Sequence, residues 1–370
     1  MNPGVAIFRK RLLAYSETFI AQQGHYLPNY RHLFCGLSRQ HSGKSLLNDS
    51  PQALLCDHTR YEAIAKLAFR AGFGTAKGWL HQLKEFQPSL IHAHFFNDGL
   101  DAARLATALD VPLVTTLHGH DISKHERARS RDRKTRHFFE RVDKVIAVSD
   151  FIAEQALASG CPEDKLVQHY IGIDLANFTH PKSESDEPSL LFVGRLTEKK
   201  GATYLLQAMQ KIQADFPGLT LTVVGDGDLR DSLEAEARER DLKAAFVGTQ
   251  SPEQIRQRLT SCWLFVAPSV QTSSGDAEGL GMVFLEAQAS QTPVVSFDSG
   301  GVSEAVAHEQ SGLLAPERDV DTLADHMRTL LTDAGKRRTM GAYGRVRVTE
   351  RFDINQQCET LEQIYDVICD

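Results

Sequence analysis

Short apolar runs rich in β-branched and aromatic residues recur along the chain, separated by longer stretches of mixed polarity. Residues 5–8, 32–37, 90–94, 113–118, 144–149 and 166–171 read as strands. The segments between them are long enough for crossover helices, which predicts a parallel sheet covered on both faces. The apolar period is lost over 177–189, which predicts an interdomain linker. Alternation then restarts, with strands expected at 190–194, 219–225, 245–248, 264–268 and 293–296 and helices opening at Ala202, Asp228, Ser251, Gly281, Ser303 and Asp319. The pattern is that of an α/β protein with two similar parallel-sheet domains, 1–176 and 190–352, facing across a cleft. A last helix in 353–370 carries Leu361, Ile364, Tyr365 and Ile368 at helical spacing, and no strand follows it.

At 370 residues the chain suits two domains of ordinary size, and 42% hydrophobic with 24% charged residues is the composition of a soluble globular protein. The formal charge of -7 is uneven: residues 1–180 hold 22 Lys/Arg against 18 Asp/Glu and the remainder 19 against 30, so +4 and -11. The six cysteines form no Cys-x-x-Cys pair and no His/Cys cluster, which fits a reducing compartment without structural zinc. No apolar run approaches the roughly 18 residues that span a bilayer, and Arg9 and Arg11 follow the first apolar segment rather than precede it. The expected location is cytoplasmic, with any membrane contact peripheral. An acidic total without an aromatic and basic platform disfavours nucleic acid as a partner.

Candidate chemistry gathers beyond the predicted strand ends, where ligands of parallel sheets collect. In the first half these ends are Ser16-Glu17-Thr18, the stretch from His92 through His94 to Asn97 and Asp98, and His118 to Asp121. In the second half, Gly194 to Gly201 joins a strand to a helix and includes Arg195, Lys199 and Lys200, a set suited to a diphosphate. Glycine loops at 279–281 and 299–301 have the same placement, and the three together point to an anion held by backbone N–H groups. Gly225-Asp226-Gly227-Asp228 also leaves a strand, but Arg230 stands where a dinucleotide fingerprint needs a third glycine. Asp226 and Asp228 read as an Asx turn and helix cap rather than a metal site. The helix after Gly281 is apolar on nearly every face, so Glu286 within it must be satisfied by a distant Arg or by a ligand rich in hydroxyls.

These pieces resemble the retaining nucleotide-sugar glycosyltransferases of the GT-B fold, family 4. The matching residues are Gly194-Arg195-Leu196 to Lys200-Gly201, Gly225-Asp226-Gly227, Phe246-Val247-Gly248 and Glu278-Gly279-Leu280-Gly281 to Glu286, a Glu-x7-Glu motif. In the first half the likeness rests on His92-Ala93-His94-Phe95, His118-Gly119 with Asp121, and Ile171-Gly172-Ile173-Asp174. The resemblance implies two Rossmann-like domains, with the last helix crossing back to the first. It assigns Glu286 to the ribose hydroxyls, Glu278 to the donor sugar, and Arg195 and Lys200 to the departing diphosphate. Gly279, Leu280, Gly281 and Met282 would touch sugar or phosphate, Gly225 and Gly227 would line the donor, and Phe246 to Thr249, with Val247, would frame the base. His118 would face the sugar near the reacting carbon, with His94, Asn97 and Asp121 toward the acceptor. Many relatives have a glycine-rich loop after the first strand; here Ser16, Glu17 and Thr18 occupy that donor-side place, in a form resembling the exopolysaccharide and capsule branch.

The implied donor is a UDP- or GDP-sugar, with no metal or cofactor, and the implied acceptor is a saccharide or lipid-linked saccharide. No carboxylate stands out as a covalent nucleophile, so same-face displacement is expected, the leaving diphosphate taking the acceptor proton. A phosphorylase or epimerase on the same architecture, or a noncatalytic sugar-nucleotide binding subunit, are the alternatives. Residues 60–73 place Ile64, Leu67, Ala68 and Ala71 on one helical face with Lys66 and Arg70 nearby, and residues 124–144 hold nine Lys/Arg against four Asp/Glu. Such a basic amphipathic surface suits an anionic membrane, although core-facing helices with a basic rim would give the same pattern.

Overall fold

The structure, a computed structural model, describes residues 2–72, 77–123 and 133–369. The chain divides into two units, Met1–Gly172 with Ile354–Asp370, and Ile173–Asp353. The expected basic stretch 124–144 lies outside the described residues over 124–132, as does Phe73 at the end of 60–73.

The first unit holds β1 (Gly4–Leu12), β2 (Arg31–Arg39), β3 (Gln52–Leu54), β4 (Leu90–His94), β5 (Leu113–Leu117), β6 (Lys144–Ala147) and β7 (Leu166–Gln168). They pair in parallel in the order β3-β2-β1-β4-β5-β6-β7. Every residue of β4 and β5 is buried, including His92, His94, Thr115 and Thr116, as expected of central strands covered on both faces. The order reverses at β1, which pairs β2 on one side and β4 on the other.

The final helix, Ile354–Cys369, belongs to this unit. Its Ile354, Cys358, Leu361 and Tyr365 join Val5, Ile7, Phe34, Leu90 and Val114 in one hydrophobic cluster. Glu362 fixes its rotation: the buried carboxylate accepts from the amides of Asn29 (2.8 Å) and Tyr30 (2.9 Å) and from Asn29 Nδ2 (2.9 Å). Three donors satisfy this buried carboxylate.

The second unit holds β8 (Ser189–Val193), β9 (Thr220–Val224), β10 (Ala244–Phe246), β11 (Leu264–Val266), β12 (Val294–Asp298) and β13 (Gly312–Pro316), parallel in the order β10-β9-β8-β11-β12-β13. Its reversal falls at β8, between β9 and β11.

Residues 177–189, expected as a linker, lie within the second unit. Lys182 Nζ reaches Leu259 O (3.1 Å), Cys262 O and Thr292 Oγ1 (2.7 Å), while Glu184 takes two bonds of 2.9 Å from Arg337, which also lies 4.0 Å over the Trp263 ring. The apolar period fails there because the segment is tied down by polar groups. Three elements were not legible in the pattern: β3, β13 and the helix Ala334–Arg351. That helix buries Arg337, Gly341, Gly344 and Arg347 among its inward positions, and a Cβ on Gly341 would stand 2.1 Å from Gln291 O. Close backbone approach and buried arginines hide the apolar stripe by which a packed helix is usually read.

Candidate active site

The loops leaving β8 to β12 are knitted together where the strand order of the second unit reverses, the place at which open α/β sheets collect ligands. After β8 the chain makes a short turn, Glu198–Lys200, and enters the helix Ala202–Ile212 through Gly201, whose φ is +67°. A Cβ there would lie 1.8 Å from Pro268 O, so only glycine lets the loop after β8 abut the loop after β11. Val270 N donates to Lys199 O (2.8 Å) across the same junction. After β9, Gly225 has φ +132° and a Cβ would come within 1.9 Å of Gly194 O, while Gly225 N donates to Gly248 O (2.8 Å).

These contacts bring charged groups together. Lys199 pairs with Asp276 at 3.0 Å, and Lys200 pairs with Glu278. Burial raises the Glu278 carboxyl, but Lys200, Lys199 and Arg195 outweigh it and hold the group below the ordinary carboxylate value. Arg195 is exposed and its guanidinium has no partner among the described residues. Glu278 is braced through its carbonyl, which accepts from Gly301 N at 2.8 Å. The loop at 299–301 therefore supports Glu278 through the Gly301 amide. Within 194–201, the amides of Gly194, Leu196, Thr197, Lys200 and Gly201 are bonded to carbonyls, so that segment offers cationic side chains more than backbone donors.

Backbone donors come from the next segment. Gly279 and Leu280 are buried, Gly281 has φ +85°, and Met282 opens the helix Met282–Ala289. The amides of Leu280, Gly281 and Met282 donate to no described residue. Free N–H groups at a helix start, with the positive end of its dipole, attract an anion. One turn inside, the carboxyl of Glu286 takes no hydrogen bond from any described residue. Burial pushes its pKa up to about 7, with Arg256 opposing. Arg256 is not a partner that satisfies it, being bonded to Glu253 at 2.7 Å.

Val247 and Thr249 form an exposed edge after β10, where Arg230 Nη2 reaches Phe246 O at 3.3 Å. Gly227 sits in the same loop system: Asp226 Oδ1 accepts from its amide at 2.8 Å, one residue on rather than the two of the expected Asx turn, and the helix Arg230–Glu239 starts after Leu229 without a side-chain cap.

The equivalent reversal in the first unit, between β1 and β4, is filled differently. Arg9 of β1 is paired with both Glu17 and Asp98 and lies 4.3 Å from the Phe95 ring centroid. Glu17 also accepts from Ala14 N (2.9 Å), and Asp98 from Lys10 N (2.8 Å). Burial raises Asp98 to about 6 against the pull of Arg9. Glu17, expected at the donor, is committed to this triad; Ser16 is exposed beside it and Thr18 opens the helix Thr18–His25.

His118 follows β5. Its Nε2 lies 3.0 Å from His94 Nδ1, its ring is 4.9 Å from Phe19 and 4.6 Å from Phe95, and its Nδ1 is sealed from solvent without a partner. Burial first, then Arg9 and His92, hold its pKa well below the usual histidine value. His94 is buried and engaged by His118, so it is not an open acceptor contact. Asp121 is also spoken for, accepting from the amides of His118 (3.1 Å), Gly119 (3.0 Å) and Phe96 (2.9 Å). Of the acceptor-side group only Asn97 is exposed. Sequence reasoning missed Arg9 and the Lys199–Asp276 pair; Arg9 is hidden because β1 extends four residues past its apolar run.

Comparison with known proteins joins these observations. The model of "Glycosyltransferase Family 4" matches residues 18–177, and that of "Glycosyl transferases group 1" matches residues 176–347. The chain belongs to glycosyltransferase family 4. Among family relatives, the amylovoran biosynthesis glycosyltransferase AmsK of Erwinia amylovora is 30% identical over 247 residues, 65% of this chain and 61% of that protein. The putative colanic acid biosynthesis glycosyltransferase WcaL of Salmonella typhimurium is 30% identical over 245 residues, 65% and 60% respectively. The chain thus spans about three fifths of the length of these two relatives. Anabaena HepE, solved with UDP and glucose, superposes with a TM-score of 0.80 over 99% of this chain and 100% of that one at 19% identity. The family 4 chain has the GT-B fold. Among its described residues no helix is long and apolar enough to cross a membrane.

Proposed function

We propose that the protein transfers a hexose from a nucleotide sugar to a saccharide in exopolysaccharide or capsule assembly, with retention of anomeric configuration and without a metal. One observation carries the reading. At a single strand-order reversal, three unbonded amides (Leu280, Gly281, Met282) and an unpartnered Arg195 stand with Glu286, a carboxylate left without donors. A nucleoside diphosphate supplies what each lacks: phosphate oxygens for the amides and cation, and ribose hydroxyls for the carboxylate.

On this reading Lys200 leaves Glu278 when the diphosphate arrives, and Glu278 turns to hydroxyls of the donor sugar. The bond from the anomeric carbon to the diphosphate oxygen breaks, and the acceptor oxygen bonds to the same face of that carbon. The acceptor proton passes to the departing diphosphate. Arg195, Lys200 and the amides stabilise the charge that develops there, and the cationic side chains do the work a metal ion would otherwise do. Solved neighbours carry UDP and UDP-glucose, and a mycobacterial relative at 29% identity is named as GDP-mannose-dependent, which supports a nucleotide sugar without choosing its base.

A lipid-linked acceptor at an anionic membrane draws support from the helix Glu62–Ala71. Tyr61, Ile64 and Leu67 are 72%, 67% and 70% exposed there, while Phe69 faces the core. Its cations are partly neutralised, Lys66 by Glu62 and Arg70 by Asp101 at 2.7 Å, so apolar insertion carries more of the attraction than charge. Thermal-shift screening of UDP-, GDP- and ADP-sugars, followed by NMR of the product, tests the transfer. A stabilising donor and a retained anomeric configuration are expected; no stabilisation by any donor, or an inverted product, contradicts it. Sedimentation with anionic vesicles tests the membrane contact, which is abandoned if Ile64→Ser with Leu67→Ser binds as well as the wild type.

A further inference from the structure

His94 and His118 share one hydrogen bond at 3.0 Å, and their rings stack with centroids 5.2 Å apart. His92 stacks on the other side of His94 at 4.4 Å and is itself fixed, Nδ1 to Tyr365 OH at 2.6 Å and Nε2 to Thr116 Oγ1 at 2.7 Å. The three rings form a column with its base anchored to the final helix and His118 at its end. Burial holds all three neutral at neutral pH.

Two neutral imidazoles joined by one hydrogen bond have a single proton between them, and its owner sets the chemistry of the free nitrogen. If His94 owns it, His118 must carry its own proton on Nδ1, and a sealed N–H would be left without an acceptor. If His118 Nε2 owns it, the sealed Nδ1 is a bare lone pair and His94 carries its proton on Nε2, which is not among the sealed unpartnered atoms. Orphaned buried N–H groups are rarer and costlier than under-satisfied acceptors.

The geometry points to His94 as a positioning residue that accepts from His118 Nε2–H and so presents His118 Nδ1 as an acceptor for a substrate hydroxyl. This rests on the transferase reading proposed above. It assigns to His118 a donor group on the substrate, a sugar hydroxyl, rather than a phosphate oxygen, which a lone pair would repel.

The test uses the full chain with 15N-labelled histidine. Long-range 1H–15N correlation identifies the protonated nitrogen of each ring without any substrate. The expected pattern is Nε2–H on His118 in the wild type. It should persist in His94→Asn, whose Oδ1 stands in for the acceptor Nδ1, and be lost in His94→Phe, which keeps the ring and removes the nitrogen. Turnover should fall roughly tenfold or more in His94→Phe and largely recover in His94→Asn, by analogy with lost orienting partners elsewhere. Affinity for the free nucleoside diphosphate should stay unchanged in both. An Nδ1–H on His118 in the wild type overturns the inference, as does wild-type turnover in folded His94→Phe. If that variant does not fold, the wild-type tautomer and the His94→Asn turnover decide. If no nucleotide sugar is turned over by the wild type, the transferase reading fails, while the tautomer still shows whether His94 sets His118.

Discussion

The two units share one strand order and place polar loops at the same topological point, yet the chemistry at those points is opposite. In the first unit the reversal is closed by its own ions, Arg9 held between Glu17 and Asp98. In the second, the reversal leaves Arg195, the amides of 280–282 and Glu286 unsatisfied. Topology therefore says where a ligand can sit, and the balance of satisfied and unsatisfied groups says which of two equivalent places is built to receive one. Three amides, a guanidinium and a carboxylate left without hydrogen-bond partners at one strand-order reversal carry information that a motif alone does not.

The contrast is tested most severely by the cations. Lys200→Ala or Arg195→Ala should remove about 2 to 4 kcal/mol of stabilisation from the departing diphosphate, roughly 30- to 1000-fold in kcat. A fall of less than tenfold in both variants would dissolve the difference between the units.

Glu286 sharpens the contrast through pH. Its ordinary value is 4.5 and its folded value about 7, so its ionisation in the fold costs stability, and that cost is absent below pH 4.5 and complete above 7. Ribose hydroxyls bind the ionised form, so nucleotide binding should release a proton and tighten by up to about tenfold per pH unit below pH 7. Calorimetry in buffers of different ionisation heat reads this release directly. Glu286→Gln should abolish it and raise Tm at pH 8 but not at pH 4.5; a variant that keeps the wild-type pH slope would show that another group is titrating.

Smaller effects follow from the scaffolds. Gly225→Ala must relieve a 1.9 Å approach to Gly194 O at positive φ, so a loss of about 1–3 kcal/mol is expected by denaturant titration, and an unchanged midpoint would mean the loops are not packed as described. Glu17→Gln should lower stability by about 1 kcal/mol and leave nucleotide affinity alone. Weakened nucleotide binding there would restore Glu17 to the donor site.

Much of this was visible in the chain itself. The two parallel sheets followed from apolar runs with helical segments between them, and Gly194 to Gly201 and Glu278 to Glu286 stood out by residue type and placement beyond strand ends. What could not be read is pairing. Nothing in the spacing shows that Lys200 rests on Glu278, that Glu17 closes on Arg9, or that Gly301 braces a carbonyl, because these contacts join loops far apart in sequence. The helix Ala334–Arg351 escaped for a related reason: glycines and arginines share its inward face with Met340 and Val348, which leaves a hydrophobic period too sparse to register. His94 looked like a site residue by its motif and proves to be buried against the one it resembles.

The most direct measurement is a crystal structure with UDP or GDP bound. The diphosphate should lie against the amides of Leu280, Gly281 and Met282 and the side chain of Arg195, with the ribose hydroxyls on Glu286 and the Arg9 triad undisturbed. A diphosphate held instead by Arg9 and residues 14–18, with 194–201 and Glu286 empty, would contradict the assignment of the donor to the second unit.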